Sequence, residues 1–146
     1  MTDGESQGGG AQRSAGAVEV RVAARLENLA VLRTLIGAVG TFEDLDFDAV
    51  ADLRLAVDEA CTRLIRSAAP DATLVVVVDG QDDEVVVRAS TECETSDVVT
   101  PGSFSWHVLS SLTDDVQTFH NDGHEPGADQ LIFGISLTTR RAGSAR

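Results

Sequence analysis

Residues 53–69 read LRLAVDEACTRLIRSAA, and the fold can be inferred outward from this segment. Its apolar side chains recur at steps of three and four residues, the spacing of one face of an α-helix. An acidic pair, Asp58 and Glu59, stands in the middle, and Pro70 follows at the end, where proline stops a helix. The segment therefore predicts the greater part of one long amphipathic helix that carries two adjacent carboxylates.

The apolar spacing extends this helix backwards, so that it is predicted to run from about residue 46 to residue 69. One face of it is expected to lie on the core. That face comprises Phe47, Val50, Leu53, Val57, Ala60, Leu64 and Ala68.

The flanking segments alternate between strand and helix patterns. Alternating valines predict a strand over residues 18–22, and leucines at helical spacing predict a helix over residues 26–39. The rest of the chain predicts strands at 73–78 and 84–89 joined as a hairpin, a polar loop at 90–103, a short helix at 104–112, and strands at 116–119 and 131–138. This order predicts an α/β (α+β) two-layer sandwich: a mixed, mostly antiparallel sheet of about five strands, covered on one face by three helices.

Length and composition are those of one globular domain. The chain has 146 residues, of which 42% are hydrophobic. We expect a disordered tail at 1–16, a folded domain at 17–140 and a flexible C-terminus at 141–146. No signal peptide and no membrane-spanning run is recognisable, so a cytoplasmic location is expected. The two cysteines, Cys61 and Cys93, lie far apart, which is typical of reduced thiols; a redox-sensitive pair stays open.

The net charge of −13 disfavours direct nucleic-acid binding, because phosphate contacts need clustered basic side chains. The chain contains no lysine. An acidic surface favours a basic protein partner instead. A metal site is not predicted either, since His120 and His124 flank a turn without a third ligand in view.

The element order and residues 56–67 resemble the family of bacterial anti-sigma factors and serine protein kinases (SpoIIAB/RsbW-like) within the GHKL ATPase fold. The second helix of that family reads approximately AVxEAxxNAxxH, and the segment here reads AVDEACTRLIRS. The resemblance places Glu59 at the catalytic glutamate and Arg63 at the asparagine that holds magnesium. Ser67 stands where the family has histidine.

Arg63 conflicts with a magnesium site, because a guanidinium offers only hydrogen-bond donors and a positive charge. Glu59 and Arg63 are four residues apart, in the favourable order for a helical ion pair. One interpretation of Glu59 is therefore a solvated ion pair. The other is a working base or metal-organising group.

Two further nucleotide-binding motifs of the family are degenerate here. The DxGxG motif aligns with Ala89, Thr91 and Cys93, so the adenine-binding aspartate and both glycines are replaced. The GxG motif that cradles phosphates aligns with residues 103–105, where Ser103 and Ser105 replace the glycines. The resemblance thus marks these positions as cofactor-binding ones that have lost the required residues, and ATP and Mg²⁺ are expected to play little or no part.

Arg33 lies 26 positions before Glu59, the spacing of the family's arginine that contacts the sigma factor. The resemblance implies an anti-sigma factor that sequesters an alternative RNA polymerase sigma factor and is released by a STAS-domain anti-anti-sigma factor. It also implies a homodimer. The alternative is an active serine/threonine protein kinase that uses Mg-ATP to phosphorylate the STAS antagonist, with Glu59 as its base.

Overall fold

A computed structural model describes residues 16–121 and 131–141 and shows one five-stranded sheet packed against three helices. The elements are β1 (Val18–Ala23), α1 (Leu29–Phe42), α2 (Phe47–Ser67), β2 (Thr73–Gly80), β3 (Glu84–Cys93), α3 (Phe104–Leu112), β4 (Asp115–His120) and β5 (Leu131–Arg140). A short 3-10 turn, Leu26–Asn28, occupies the first turn predicted for α1. The predicted element order is confirmed.

The strands are arranged in the order β1-β2-β3-β5-β4, and all four neighbouring pairs are antiparallel. Alternate residues of a strand point to the same face. In β3 these are Val85, Val87, Ala89 and Cys93, which are buried in one cluster with residues of α1 and α2. The helices therefore cover one face of the sheet, as the two-layer prediction requires.

Helix α2 begins with an N-cap at Asp46, whose side chain accepts a hydrogen bond from the Ala49 amide at 2.7 Å. It ends at Ser67, two residues before the predicted end, because Ala68 is extended and pairs with Cys93 as an isolated bridge. Its buried face consists of Leu53, Ala56, Val57, Ala60, Cys61, Leu64 and Ile65.

Two predicted members of the core face of this helix are wrong, because Ala68 lies beyond its end and Phe47 is not buried. Phe47 is 92% exposed, whereas Leu45, in the loop before α2, is 7% exposed and belongs to the core. The core position at this end of the helix pair is filled from the loop, which leaves Phe47 in solvent.

The loop predicted over residues 90–103 begins later than expected. Strand β3 continues to Cys93, and residues 90–93 pair with β5. The polar residues of this segment hid the strand, because Thr91 is a buried polar side chain whose hydroxyl donates to the Thr73 carbonyl at 2.8 Å.

Arg141, assigned above to a flexible C-terminus, is held in the fold. Its guanidinium contacts the Glu43 carboxylate at 2.7 Å and the Gln81 carbonyl at 2.9 Å. The rest of that terminus, the tail before Gly16 and the turn that contains His124 lie outside the described residues.

Candidate functional site

Glu59 lies in the middle of α2, and its Oε2 atom accepts two hydrogen bonds. Arg63 Nε donates to it at 3.2 Å from the next turn of the helix, and Ser105 Oγ donates at 2.9 Å from α3. The predicted i,i+4 ion pair is confirmed. The contact with Ser105 was not predicted, and it ties the second helix to the third.

The preceding carboxylate, Asp58, faces the other neighbouring helix. Arg33 Nε of α1 donates to Asp58 Oδ1 at 2.8 Å, and the Arg33 side chain is 48% exposed. Consecutive residues on a helix point about 100° apart, as 3.6 residues per turn dictates. The acidic pair therefore links α2 to α1 through Asp58 and to α3 through Glu59.

The residues at this site do not fit magnesium. Arg63 stands at the position of a metal-binding amide, and a guanidinium presents N–H donors, whereas Mg²⁺ requires oxygen ligands. The oxygen of Glu59 nearest to Arg63 is already shared by two donors. Among residues 16–121 and 131–141, no three His, Cys, Asp or Glu side chains converge as a metal site would require.

The three residues that the family resemblance aligns with the adenine-binding motif are buried in the fold. Ala89, Thr91 and Cys93 lie within β3, between β2 and β5, and each is at most 4% exposed. Burial raises the pKa of the Cys93 thiol to about 11, although a hydrogen bond from the Phe133 backbone partly opposes the shift. These buried side chains offer no exposed group to a ligand.

Ser103 and Ser105, at the phosphate-cradle positions, both have structural partners. Ser103 is the N-cap of α3; its side chain accepts from the Trp106 amide at 3.2 Å, and its carbonyl accepts from the His107 amide at 3.0 Å. Ser105 is engaged with Glu59. Gly102 has a φ of +88° and makes the turn into the helix.

A shallow groove of about 330 Å³ lies between α1 and α2 around Arg33. It is lined by Arg33, Ala51, Arg54, Leu55 and Asp58. Leu55 is 59% exposed, so the groove combines an apolar wall with the Arg33–Asp58 ion pair. Leu55 was missed in the sequence because it falls outside the core spacing of α2. Its one signal in the sequence is that this leucine stands next to a charged residue, outside the core spacing.

Residues 22–127 match the family described as "Histidine kinase-like ATPase domain". An anti-sigma-F factor RsbW of Mycobacterium tuberculosis (strain ATCC 25618 / H37Rv) is 69% identical over 146 residues, which cover 100% of this chain and 86% of the relative. A serine-protein kinase RsbW of Bacillus cereus (strain B4264) is 21% identical over 126 residues, which cover 73% of this chain and 79% of the relative.

The family agrees with the architecture and with the resemblance found in the helix motif. No helix in the described part of the chain has the length and hydropathy needed to cross a membrane. The match spans residues 22–127 and therefore most of the folded part, including α2 and α3. The chain belongs to the histidine kinase-like ATPase domain family.

Proposed function

We propose that this protein is an anti-sigma factor that binds an alternative RNA polymerase sigma factor and sequesters it. The observation that carries the proposal is the 69% identity, over the whole chain, to a protein named as an anti-sigma-F factor. We infer that the partner is a sigma factor of the sigma-F class, which the name of this relative specifies.

Binding in this proposal does not depend on nucleotide. Glu59 is bridged to Arg63 and Ser105, and Ala89, Thr91 and Cys93 are packed inside a paired strand. Arg63 also supplies no oxygen ligand for Mg²⁺ at the same place, since a guanidinium carries only hydrogen-bond donors. The protein then acts by stoichiometric contact with its partner.

Arg33 is the proposed contact residue. Its side chain is 48% exposed, and Asp58 fixes the guanidinium beside the apolar wall of the α1–α2 groove. A guanidinium held in place loses less conformational freedom when it binds a carboxylate of the partner. The negative net charge of the chain also favours a partner that binds DNA and is basic in places.

Release by a STAS-domain anti-anti-sigma factor, a homodimeric state and a cytoplasmic location complete the proposal. They are supported by the family resemblance alone. Size-exclusion chromatography with light scattering tests the dimer, and competition between the STAS protein and the sigma factor tests the release.

The first experiment measures sigma-factor binding by calorimetry with no nucleotide present. We expect wild-type protein to bind and Arg33→Ala to bind at least about tenfold more weakly, which corresponds to about 1.4 kcal/mol. Arg21→Ala is the matched control, because Arg21 is also an exposed arginine paired with a carboxylate, Glu19 at 2.7 Å, but lies on β1. Equal affinities of wild type and Arg33→Ala would remove Arg33 from the interface.

The second experiment separates this function from the kinase alternative, which the retained Glu59 and the name of the Bacillus relatives favour. Thermal unfolding is followed with and without millimolar Mg-ATP. A ligand that binds only the folded state raises the melting temperature by mass action, so we expect no shift. A shift of several degrees, together with transfer of labelled phosphate to a STAS protein, would establish the kinase instead.

A further inference from the structure

Two phenylalanines are exposed at the end of the α1–α2 helix pair. Phe42, the last residue of α1, is 83% exposed, and Phe47, the first residue of α2, is 92% exposed. We call them, together with the loop residues 43–46 that join them, the Phe42/Phe47 patch. Two almost fully exposed aromatic rings, five residues apart in the chain and on either side of one short loop, are typical of a protein-binding surface.

The patch is fixed from beneath. Leu45 is buried in the core, and its amide donates to the Gly40 carbonyl at 3.1 Å. Asp46 caps α2, and Arg141 binds the Glu43 carboxylate at 2.7 Å. The two rings therefore lie on the helix ends at either side of a loop that is anchored at three points. An anchored loop loses little conformational entropy on binding, which is the property of an interface hot spot.

The charges around the patch restrict what can bind there. Residues 41–53 contain five acidic side chains and no basic one: Glu43, Asp44, Asp46, Asp48 and Asp52. Arg141 offsets one of them, through its contact with Glu43. A nucleic acid, an anionic bilayer and a second copy of the same patch would all bring further negative charge to this surface. A protein with an apolar pocket rimmed by lysine or arginine complements it.

The patch lies on the same helix pair as Arg33. Phe42 follows Arg33 by nine residues in α1, which corresponds to about 14 Å along the helix axis. Nine residues also turn the helix by about 180° beyond whole turns, so Phe42 points away from the Arg33 side of α1. Phe47 precedes Asp58 by eleven residues, about 20° around α2, and therefore lies on the side of α2 that lines the groove. A standard interface includes about 20–30 residues on each side, so a partner that covers this end of the helix pair can contact the groove and the patch.

We propose that the Phe42/Phe47 patch is a second docking point for the sigma factor. The two rings insert into an apolar pocket of the sigma factor, and the basic DNA-binding surface of the sigma factor borders that pocket. This inference rests on the proposed function. It assigns the two ends of α1 different tasks: Arg33 supplies a polar contact, and the patch supplies apolar burial and charge complementarity.

The test measures sigma-factor association and dissociation by surface plasmon resonance, with the full chain immobilised. Phe42→Ser/Phe47→Ser is expected to weaken affinity at least about tenfold, mainly through faster dissociation, as truncated hot-spot residues do. Its melting temperature should be unchanged, because both rings are already exposed in the free protein. Phe104→Ser is the matched control: Phe104 is 81% exposed at the start of α3, on another side of α2.

A charge variant tests the acidic rim separately. Asp44→Asn/Asp48→Asn keeps the size of both side chains, and asparagine tolerates the positive φ of 62° found at Asp44. We expect slower association and a smaller effect of salt on the association rate.

The outcomes are distinguishable. If wild-type protein binds the sigma factor and the double serine variant binds equally well, the patch proposal is overturned and the anti-sigma function stands. An equal loss in Phe104→Ser would also overturn it, by showing a general effect of exposed rings. A variant that alters only self-association, measured by sedimentation, would assign the patch to a second copy. If wild-type protein does not bind the sigma factor, both proposals fail.

Discussion

A single oxygen atom, Oε2 of Glu59, joins two helices that are distant in sequence. Ser105 and Arg63 both donate to this oxygen, and the Glu59 side chain is 24% exposed, so the contact is partly shielded from water. A hydrogen bond to a charged group in such a place is stronger than one at the open surface. The contact holds the start of α3 against α2.

Replacement of Ser105 by alanine tests this contact. We expect Ser105→Ala to lower the free energy of unfolding by about 1 kcal/mol, because one hydrogen bond to the carboxylate is lost. Urea unfolding followed by the fluorescence of Trp106, the only tryptophan and the neighbour of Ser105, reports on this region. Ser110→Ala, in an exposed position of α3, is the control and should change stability by less than about 0.5 kcal/mol. Equal losses in the two variants would show that the contact contributes nothing.

The two buried thiols predict a loss of stability at alkaline pH. Burial, assisted by the negative charge of Asp58, raises the pKa of the Cys61 thiol from its usual 9.0 to about 12. The thiol stays protonated in the folded state, while the unfolded chain releases the proton above pH 9. The unfolded state then binds fewer protons, so stability is fully present below pH 9 and falls between pH 9 and about 12.

We therefore expect the free energy of unfolding to fall by up to about 1.4 kcal/mol per pH unit for Cys61 above pH 9. Cys93 adds a smaller loss because its pKa rises only to about 11. The chain has no lysine and no tyrosine, so no other type of side chain titrates in this window. Urea unfolding at pH 8, 9, 10 and 11 measures the slope. Cys61→Ala/Cys93→Ala should be less stable at pH 8 but flat above pH 9; a slope equal to that of wild type would exclude the thiols as its cause.

Helices α1 and α2 approach each other closely at Gly40 and less closely at Gly37. A Cβ atom placed on Gly40 would lie 2.9 Å from Val50 Cγ2, whereas one placed on Gly37 would lie 3.7 Å from the Arg54 side chain. The first distance is too short for two carbon atoms, and the second is an ordinary contact. Alanine substitutions at these two glycines therefore separate the effect of helix propensity from the effect of packing, within one helix.

Gly37→Ala is expected to raise the free energy of unfolding by about 0.5–1 kcal/mol, because alanine favours the helix. Gly40→Ala gains the same propensity but overpacks the contact with Val50, at a cost of about 1–3 kcal/mol. Urea unfolding should thus rank Gly37→Ala above wild type and Gly40→Ala below it. Gly40→Ala/Val50→Ala should recover part of the loss. A stabilised Gly40→Ala would mean that the two helices separate freely at this point.

The sequence predicted the elements well where local spacing decides them. Apolar periodicity gave the order of strands and helices, four core residues of α2 (Leu53, Val57, Ala60 and Leu64), and the Glu59–Arg63 pair one turn apart. It did not include the buried Ala56, Cys61 and Ile65. It failed where tertiary packing rather than local spacing decides. Leu45 takes the core position expected for Phe47, and pairing with β5 extends β3 through residues that look polar.

The same limit applies to the site. Arg33 and Asp58 are 25 residues apart, and Ser105 and Glu59 are 46 apart, so no local pattern contains either contact. The family motif identified Glu59, Arg33 and the degenerate positions as candidates. It could not show that the replacements form a bonded network among themselves, because that follows from how α1 and α3 pack on α2.

Over the whole molecule, negatively charged residues strongly outnumber positively charged ones. The net charge is −13, and all 11 basic residues are arginines, whose charge is independent of pH in the physiological range. Of these, Arg21, Arg25, Arg33, Arg63 and Arg141 are paired with carboxylates in the described residues. Pairing neutralises positive charge at close range, so the field at a distance is dominated by the remaining carboxylates. Such a field attracts a basic partner before contact.

We therefore expect the rate of association with the sigma factor to fall at least about tenfold between 50 and 500 mM NaCl, while the dissociation rate changes much less. The reason is screening: the Debye length shortens from more than 10 Å to well below 8 Å over this range, so the partner is no longer attracted across the solvent. Stopped-flow measurements that use the fluorescence of Trp106 provide both rates. Arg21→Ala makes the net charge one unit more negative and should steepen the dependence slightly. An association rate that does not change with salt would show that steering is absent and that the acidic charge serves solubility alone.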